Sequence, residues 1–150
     1  MAVLLKEIGD YNGAETEAVE VFKLQPENKE IKQFLESLLN LDANDPNLHV
    51  SLSYVYKEIG ETEKSRQELL IAKSLYLQLI ASEPKKSEYH YWRLAGIYQE
   101  LQEYENAYQE ALLIIELYPN STTQVESFLQ SLPPKYLNAY GDYLRSKAKH

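Results

Sequence analysis

Apolar residues return every three or four positions along almost the whole chain, with polar residues filling the opposite side. Tyr91, Leu94, Ala95, Tyr98 and Leu101 keep the rhythm i, i+3, i+4, i+7, i+10. After a break, Ala107, Ala111, Ile114, Ile115 and Tyr118 keep i, i+4, i+7, i+8, i+11. This is the period of an amphipathic helix, and no stretch alternates with period two for long enough to read as a strand. The pattern predicts an all-α protein of about nine helices, near 1–8, 12–24, 28–41, 47–59, 62–82, 87–101, 104–118, 122–132 and 134–147.

Punctuation agrees with the periodicity. Pro26, Pro46, Pro84, Pro119, Pro133 and Pro134 fall between or at the starts of these segments. Asp45 before Pro46 reads as an N-cap followed by proline at the first helical position, where the missing N–H is no loss. "STTQ" at Ser121–Gln124 has the spacing of a capping box, in which Ser and Gln satisfy each other's orphan amides. The connections are short, so consecutive helices are expected to be antiparallel neighbours.

The segments also repeat. "KEIG" occurs at Lys6–Gly9 and again at Lys57–Gly60, each time closing one helix ahead of another. The exits rhyme too: "LQPEN" at Leu24–Asn28, "LDANDPN" at Leu41–Asn47 and "LYPNS" at Leu117–Ser121. Such self-similarity marks stacked helical hairpins. On these residues the chain resembles the tetratricopeptide repeat family, a helix–turn–helix unit of roughly 34 residues with small and large residues at fixed places. Leu94, Ala95 and Tyr98 match the leucine, small residue and tyrosine of its first helix; Tyr104, Ala107 and Pro119 match the second helix and closing proline. Leu52, Ser53, Tyr56, Gly60, Ser65, Leu69 and Ala72 fall on the same frame, and so do Gly9, Tyr11, Ala14, Ala18 and Pro26. Small residues have a physical reason here, because helices cross closely only where one lacks bulk.

The resemblance implies an α-solenoid of stacked antiparallel hairpins ending in a capping helix near 134–147. It divides a single domain, 1–150, into a partial repeat (1–28), an interposed helix (28–46), a repeat with an extended second helix (47–85), a repeat (87–121) and a degenerate hairpin and cap (122–150). Gly9 and Gly60 stand about one and a half periods of roughly 34 residues apart, so "NKEIKQFLESLLNL" reads as a collapsed repeat. Helix 62–82 overruns its hairpin partner, leaving Leu79 and Ile80 in need of cover from the interposed helix or a second copy. The chain opens in mid-motif with Ala2, Val3, Leu4 and Leu5, and Val19 and Phe22 join this unfinished hairpin. It therefore reads as the C-terminal portion of a longer repeat protein, with an apolar end open to homodimerisation.

Composition narrows the chemistry. At 150 residues, with 44% hydrophobic and 25% charged residues, the chain has the makeup of a globular domain. It has no cysteine, which removes disulfides, thiolate nucleophiles and zinc–thiolate sites from consideration. Its net charge of −8 repels phosphate backbones. Lys135, Arg145, Lys147 and Lys149 in the tail read as partners of a helix C-terminus, so no nucleic acid is expected. No apolar run reaches the roughly 18 residues of a membrane span, and no basic stretch ahead of a short apolar core marks a signal peptide. A cytoplasmic protein without membrane insertion is the expectation.

Candidate catalytic groups are sparse. His49, His90 and His150 have no second histidine one turn away, so no metal is expected. Glu100, Glu103 and Glu105 gather around an inter-helix turn and read as a solvated rim. There is no glycine-rich phosphate loop and no nucleophile elbow, so neither cofactor nor enzymatic activity is expected.

The aromatics carry more. Tyr56 and Tyr98 belong to the packing frame. The resemblance places a concave, partner-binding face on the first helix of each hairpin: Asn47, Val50, Tyr54, Lys57 and Glu58 in one, Tyr89, Trp92, Gly96, Gln99 and Glu100 in the next. Trp92 and Tyr89 read two ways, as anchors for a peptide or partner helix or as packing on the neighbouring hairpin. Val50 and Tyr54 stand where chaperone-binding members carry a polar carboxylate clamp, so an apolar or mixed segment suits this face better. The reading is a scaffold or adaptor for a protein or peptide partner. Its rivals are the regulatory or substrate-recruiting arm of a larger enzyme and a homo-oligomerisation module.

Overall fold

Each predicted helix that falls within residues 29–83 and 87–149, the part described by the computed structural model, forms within two residues of its predicted span. The helices are α1 (Lys29–Leu41), α2 (Pro46–Glu58), α3 (Thr62–Ser82), α4 (Glu88–Glu100), α5 (Tyr104–Leu117), α6 (Thr122–Gln130) and α7 (Pro134–Ala148). Among the described residues there is no strand. The helices expected near 1–8 and 12–24 lie outside the described residues. So do the first "KEIG", the frame from Gly9 to Pro26, and the apolar residues Ala2 to Leu5, Val19 and Phe22.

One cap forms as the sequence dictates. Asp45 is extended (φ −82°, ψ 107°), and its carboxylate accepts the N–H of Asn47 at 2.9 Å. A cap of this kind contributes about 1 kcal/mol. The capping box does not form. Ser121 sits at φ −94°, ψ 11°, a backbone that carries its hydroxyl away from the first amides of α6. Residues Pro119–Ser121 instead wind into a 3-10 turn. The Ser121 hydroxyl donates to the Glu88 carboxylate, and Thr122 Oγ1 donates to the Pro119 carbonyl at 2.7 Å.

The repeat shows itself most plainly where helices end. Gly60 has φ 85°, and beyond α2 the Glu61 N–H donates to the Tyr56 carbonyl (2.8 Å) while the Gly60 N–H donates to Lys57 (3.2 Å). Beyond α4, Gln102 takes φ 62°, the Glu103 N–H donates to Tyr98 (2.8 Å) and the Gln102 N–H to Gln99 (3.0 Å). Both are Schellman ends, the six-to-one and five-to-two bonds closing over a left-handed residue. The frame tyrosine supplies the receiving carbonyl in each.

The chain divides into two compact units between Leu75 and Tyr76, inside α3. In the first, α1 packs on α2 through a core of Leu35, Leu38, Leu48, Leu52, Val55 and Tyr56. Burying each such aliphatic side chain is worth about 1.5–3 kcal/mol. Buried Ser53 and Ser65 let α2 and α3 meet closely, with Ser65 Oγ donating to the Ser53 carbonyl at 2.8 Å. Tyr56 donates its hydroxyl to Glu36 (3.0 Å), and the ammonium groups of Lys32 and Lys64 lie 5.6 and 5.7 Å from its ring centre.

In the second unit one core runs from helix to helix. Tyr91 of α4, Ala107, Tyr108, Ala111 and Ile114 of α5, Val125 and Leu129 of α6, and Tyr136 and Tyr140 of α7 are all buried in it. Each helix covers the next, so the core grows by neighbour contacts, as stacked repeats require. Ala95, Ala107 and Ala111 are fully buried, where a larger side chain would force helices apart. Ile80 at the end of α3 packs on this core, where cover from the interposed helix or a second copy was expected, and Leu79 remains 37% exposed. The tail cations engage acidic and aromatic neighbours: Arg145 pairs with Asp142, and Lys147 lies 3.7 Å from Glu116 and 5.3 Å from the Tyr143 ring centre.

Candidate partner-binding faces

Positions 47, 50, 54 and 57 are three or four apart and so share one side of α2. Asn47, Val50 and Tyr54 are half-buried there, Lys57 and Glu58 exposed. Tyr54 leans on the core of the first unit. The frame forces this arrangement, because Leu48, Leu52 and Val55 take the inward side of the same helix.

The face of α4 is built differently. Tyr89 is 50% exposed, and the Arg93 guanidinium lies 5.7 Å from its ring centre. Trp92 is half-buried, and its indole N–H donates to Glu88 at 3.0 Å. Its ring meets Phe128 of α6 edge to face, with centres 6.0 Å apart and an interplanar angle of 84°. The Gln99 amide donates to Ser131 Oγ at 2.7 Å, reaching the turn between α6 and α7. Glu100 is exposed. Trp92 therefore packs on the neighbouring hairpin while keeping part of its surface open, and Glu88 fixes the ring by binding Trp92 and Ser121 together.

Gly96 sits among these residues, one turn from both Trp92 and Gln99. Its backbone is ordinary helix, and a Cβ built there would meet nothing within 4 Å. Neither a left-handed conformation nor a close internal neighbour calls for glycine. The result is a bare notch on α4, flanked by an indole and a carboxamide that other side chains hold in place. The α2 and α4 faces belong to different units, so the structure groups the predicted residues into two sets: Asn47, Val50, Tyr54, Lys57 and Glu58, and Tyr89, Trp92, Gln99 and Glu100.

Periodicity alone does not reveal two titratable groups, one buried and one half-buried. His49 is 4% exposed, with Nδ1 2.5 Å from Glu68 Oε2 and Nε2 2.7 Å from the Ala43 carbonyl oxygen. Burial pulls its pKa down, but hydrogen bonds to Glu68 and Ala43 and the charges of Glu68 and Asp45 outweigh it, leaving the pKa above 6.5. Glu110 on α5 has a buried carboxylate oxygen with no hydrogen-bond partner among the described residues. Desolvation pushes its pKa up to about 7. No group of three or more His, Asp or Glu among the described residues is placed to hold a metal ion.

No protein-family model matches the chain, and no curated protein matches it. Among solved structures, the crystal structure of MamA is similar over 100% of this chain and 98% of its own, at 18% identity with a TM-score of 0.41. A likeness that remote says nothing of what this chain binds.

Proposed function

We propose that the chain is a tetratricopeptide-type scaffold that holds a peptide or helix of a partner protein on the first-helix faces of its hairpins, without chemistry of its own. The reading rests on the frame: Tyr56 and Tyr98 receive the same helix-closing bonds, and small residues lie buried at the same points of each hairpin. The observation that carries binding is the notch at Gly96. A glycine inside a helix costs about 1 kcal/mol relative to alanine, and nothing in the described chain needs the room. Space left open between Trp92 and Gln99 fits a large side chain or a close-crossing helix of a partner. The acidic surface favours a partner segment with basic residues around an apolar anchor.

On this reading the site residues are Tyr89, Trp92, Gln99 and Glu100 on α4, with Asn47, Val50, Tyr54, Lys57 and Glu58 as a second patch on α2. No helix among the described residues is long and apolar enough to cross a membrane. We place the protein's work in the cytoplasm, on protein rather than nucleic acid. Photo-crosslinking from position 100, beside the notch, tests the binding face. A partner captured there, and released when a leucine at position 96 fills the notch, supports the reading. Capture unchanged by that leucine contradicts it.

A further inference from the structure

The two contacts of His49 impose a protonation state. Both ring nitrogens face oxygen acceptors, the Glu68 carboxylate at 2.5 Å and the Ala43 carbonyl at 2.7 Å. A neutral imidazole has a single N–H, so it satisfies one acceptor and turns a lone pair toward the other. Only an imidazolium, or a proton shared with Glu68, serves both. The ring lies near the N-terminus of α2, where the helix dipole disfavours a cation. The charge is therefore maintained by the carboxylates that act on it, Glu68 from α3 and Asp45 from the α1–α2 turn.

We infer that His49 is a proton-operated latch, which as imidazolium ties the α1–α2 turn and α3 to α2 and on losing its proton keeps its N–H on the Glu68 carboxylate and releases the neutral Ala43 carbonyl of the turn. Besides Ala43, the turn is held by bonds local in sequence, among them Asp42 N–H to Leu38 (3.1 Å), Asp45 N–H to Asp42 (3.3 Å), Leu48 N–H to Asp45 (3.2 Å) and the two Asx contacts from Asn44 and Asn47. Deprotonation sends the proton to solvent and leaves a buried lone pair against an oxygen, an arrangement costly enough to break the weaker contact. The sign follows from linkage. A histidine whose folded pKa is raised contributes stability that is complete below 6.5 and is lost as pH rises through the folded value. The latch needs no partner, because His49, Ala43, Asp45 and Glu68 all belong to the first unit.

Nitrogen-15 spectra of the histidine rings in the whole chain, recorded from mildly acidic to alkaline pH, test it. The expected result is a His49 ring protonated on both nitrogens well above pH 6.5, with Glu68→Gln lowering its midpoint. In step with deprotonation, exchange at the Asp45 and Leu48 amides should accelerate more than at the Glu103 amide, which closes a turn without histidine. The unfolding constant should rise by up to about tenfold per pH unit across that window. A neutral His49 tautomer below pH 6.5, or turn amides that keep pace with Glu103 through the titration, overturns the latch. Should Glu68→Gln fail to fold, the parent spectra and exchange rates decide alone.

Discussion

Gln102 and Gly60 do the same backbone work at different strain. Both close a helix in the left-handed region, which suits glycine and costs other residues about 1 kcal/mol. Gln102→Gly should therefore stabilise the protein by roughly 0.5–1 kcal/mol, and Gly60→Ala should destabilise it by about as much, since a Cβ at Gly60 meets nothing and only strain counts. Urea denaturation of the two variants measures both signs, and a Gln102→Gly variant no more stable than the parent would contradict the account of that turn. Glu110 gives a residue-scale test against pH. Its folded pKa near 7 stands above the ordinary 4.5, so its neutral form suits the fold and stability is lost as pH rises through about 7. Glu110→Gln should raise the melting temperature at pH 8 and leave it nearly unchanged at pH 4.5. Equal shifts at both pH values would remove desolvation as the cause.

At the scale of the helix, much was legible because periodicity and frame residues report the same thing. Leu94, Ala95 and Tyr98 gave α4 its inward side, and Asp45–Pro46 gave α2 its start. What the sequence concealed depends on the third dimension. Ser121 has the right neighbour for a capping box, yet Glu88, distant in sequence, takes its hydroxyl. Ile80 reads as unpartnered until the downstream hairpins form the core that covers it. Its register puts Gly96 on the face expected to bind a partner, and only the packing shows that nothing fills the space above it. The frame predicts one further element-scale result. Ala111 is fully buried where α5 meets its neighbours, so Ala111→Leu should overpack the second unit and cost about 1–3 kcal/mol in calorimetry. Melting like the parent would mean that α5 does not cross its neighbours closely there.

For the whole molecule, the consequential facts are two cores and one charge. Each unit buries its own apolar cluster, and the chain carries −8 overall, so a basic partner should associate more slowly as salt is added. The candidate site was only partly legible at this scale: the sequence named the faces, but the notch between anchored Trp92 and Gln99 emerged from packing. The central claim is that Gly96 is kept bare for a partner rather than for the fold, and it separates stability from function in one substitution. Gly96→Leu, measured in parallel by thermal unfolding and by titration against the captured partner, is the most direct test. The account predicts a melting temperature raised by about 2–4 °C, from the roughly 1 kcal/mol gained in replacing a mid-helix glycine, together with binding weakened at least about tenfold. A variant that melts lower than the parent, or one that binds the partner as tightly as before, would contradict it.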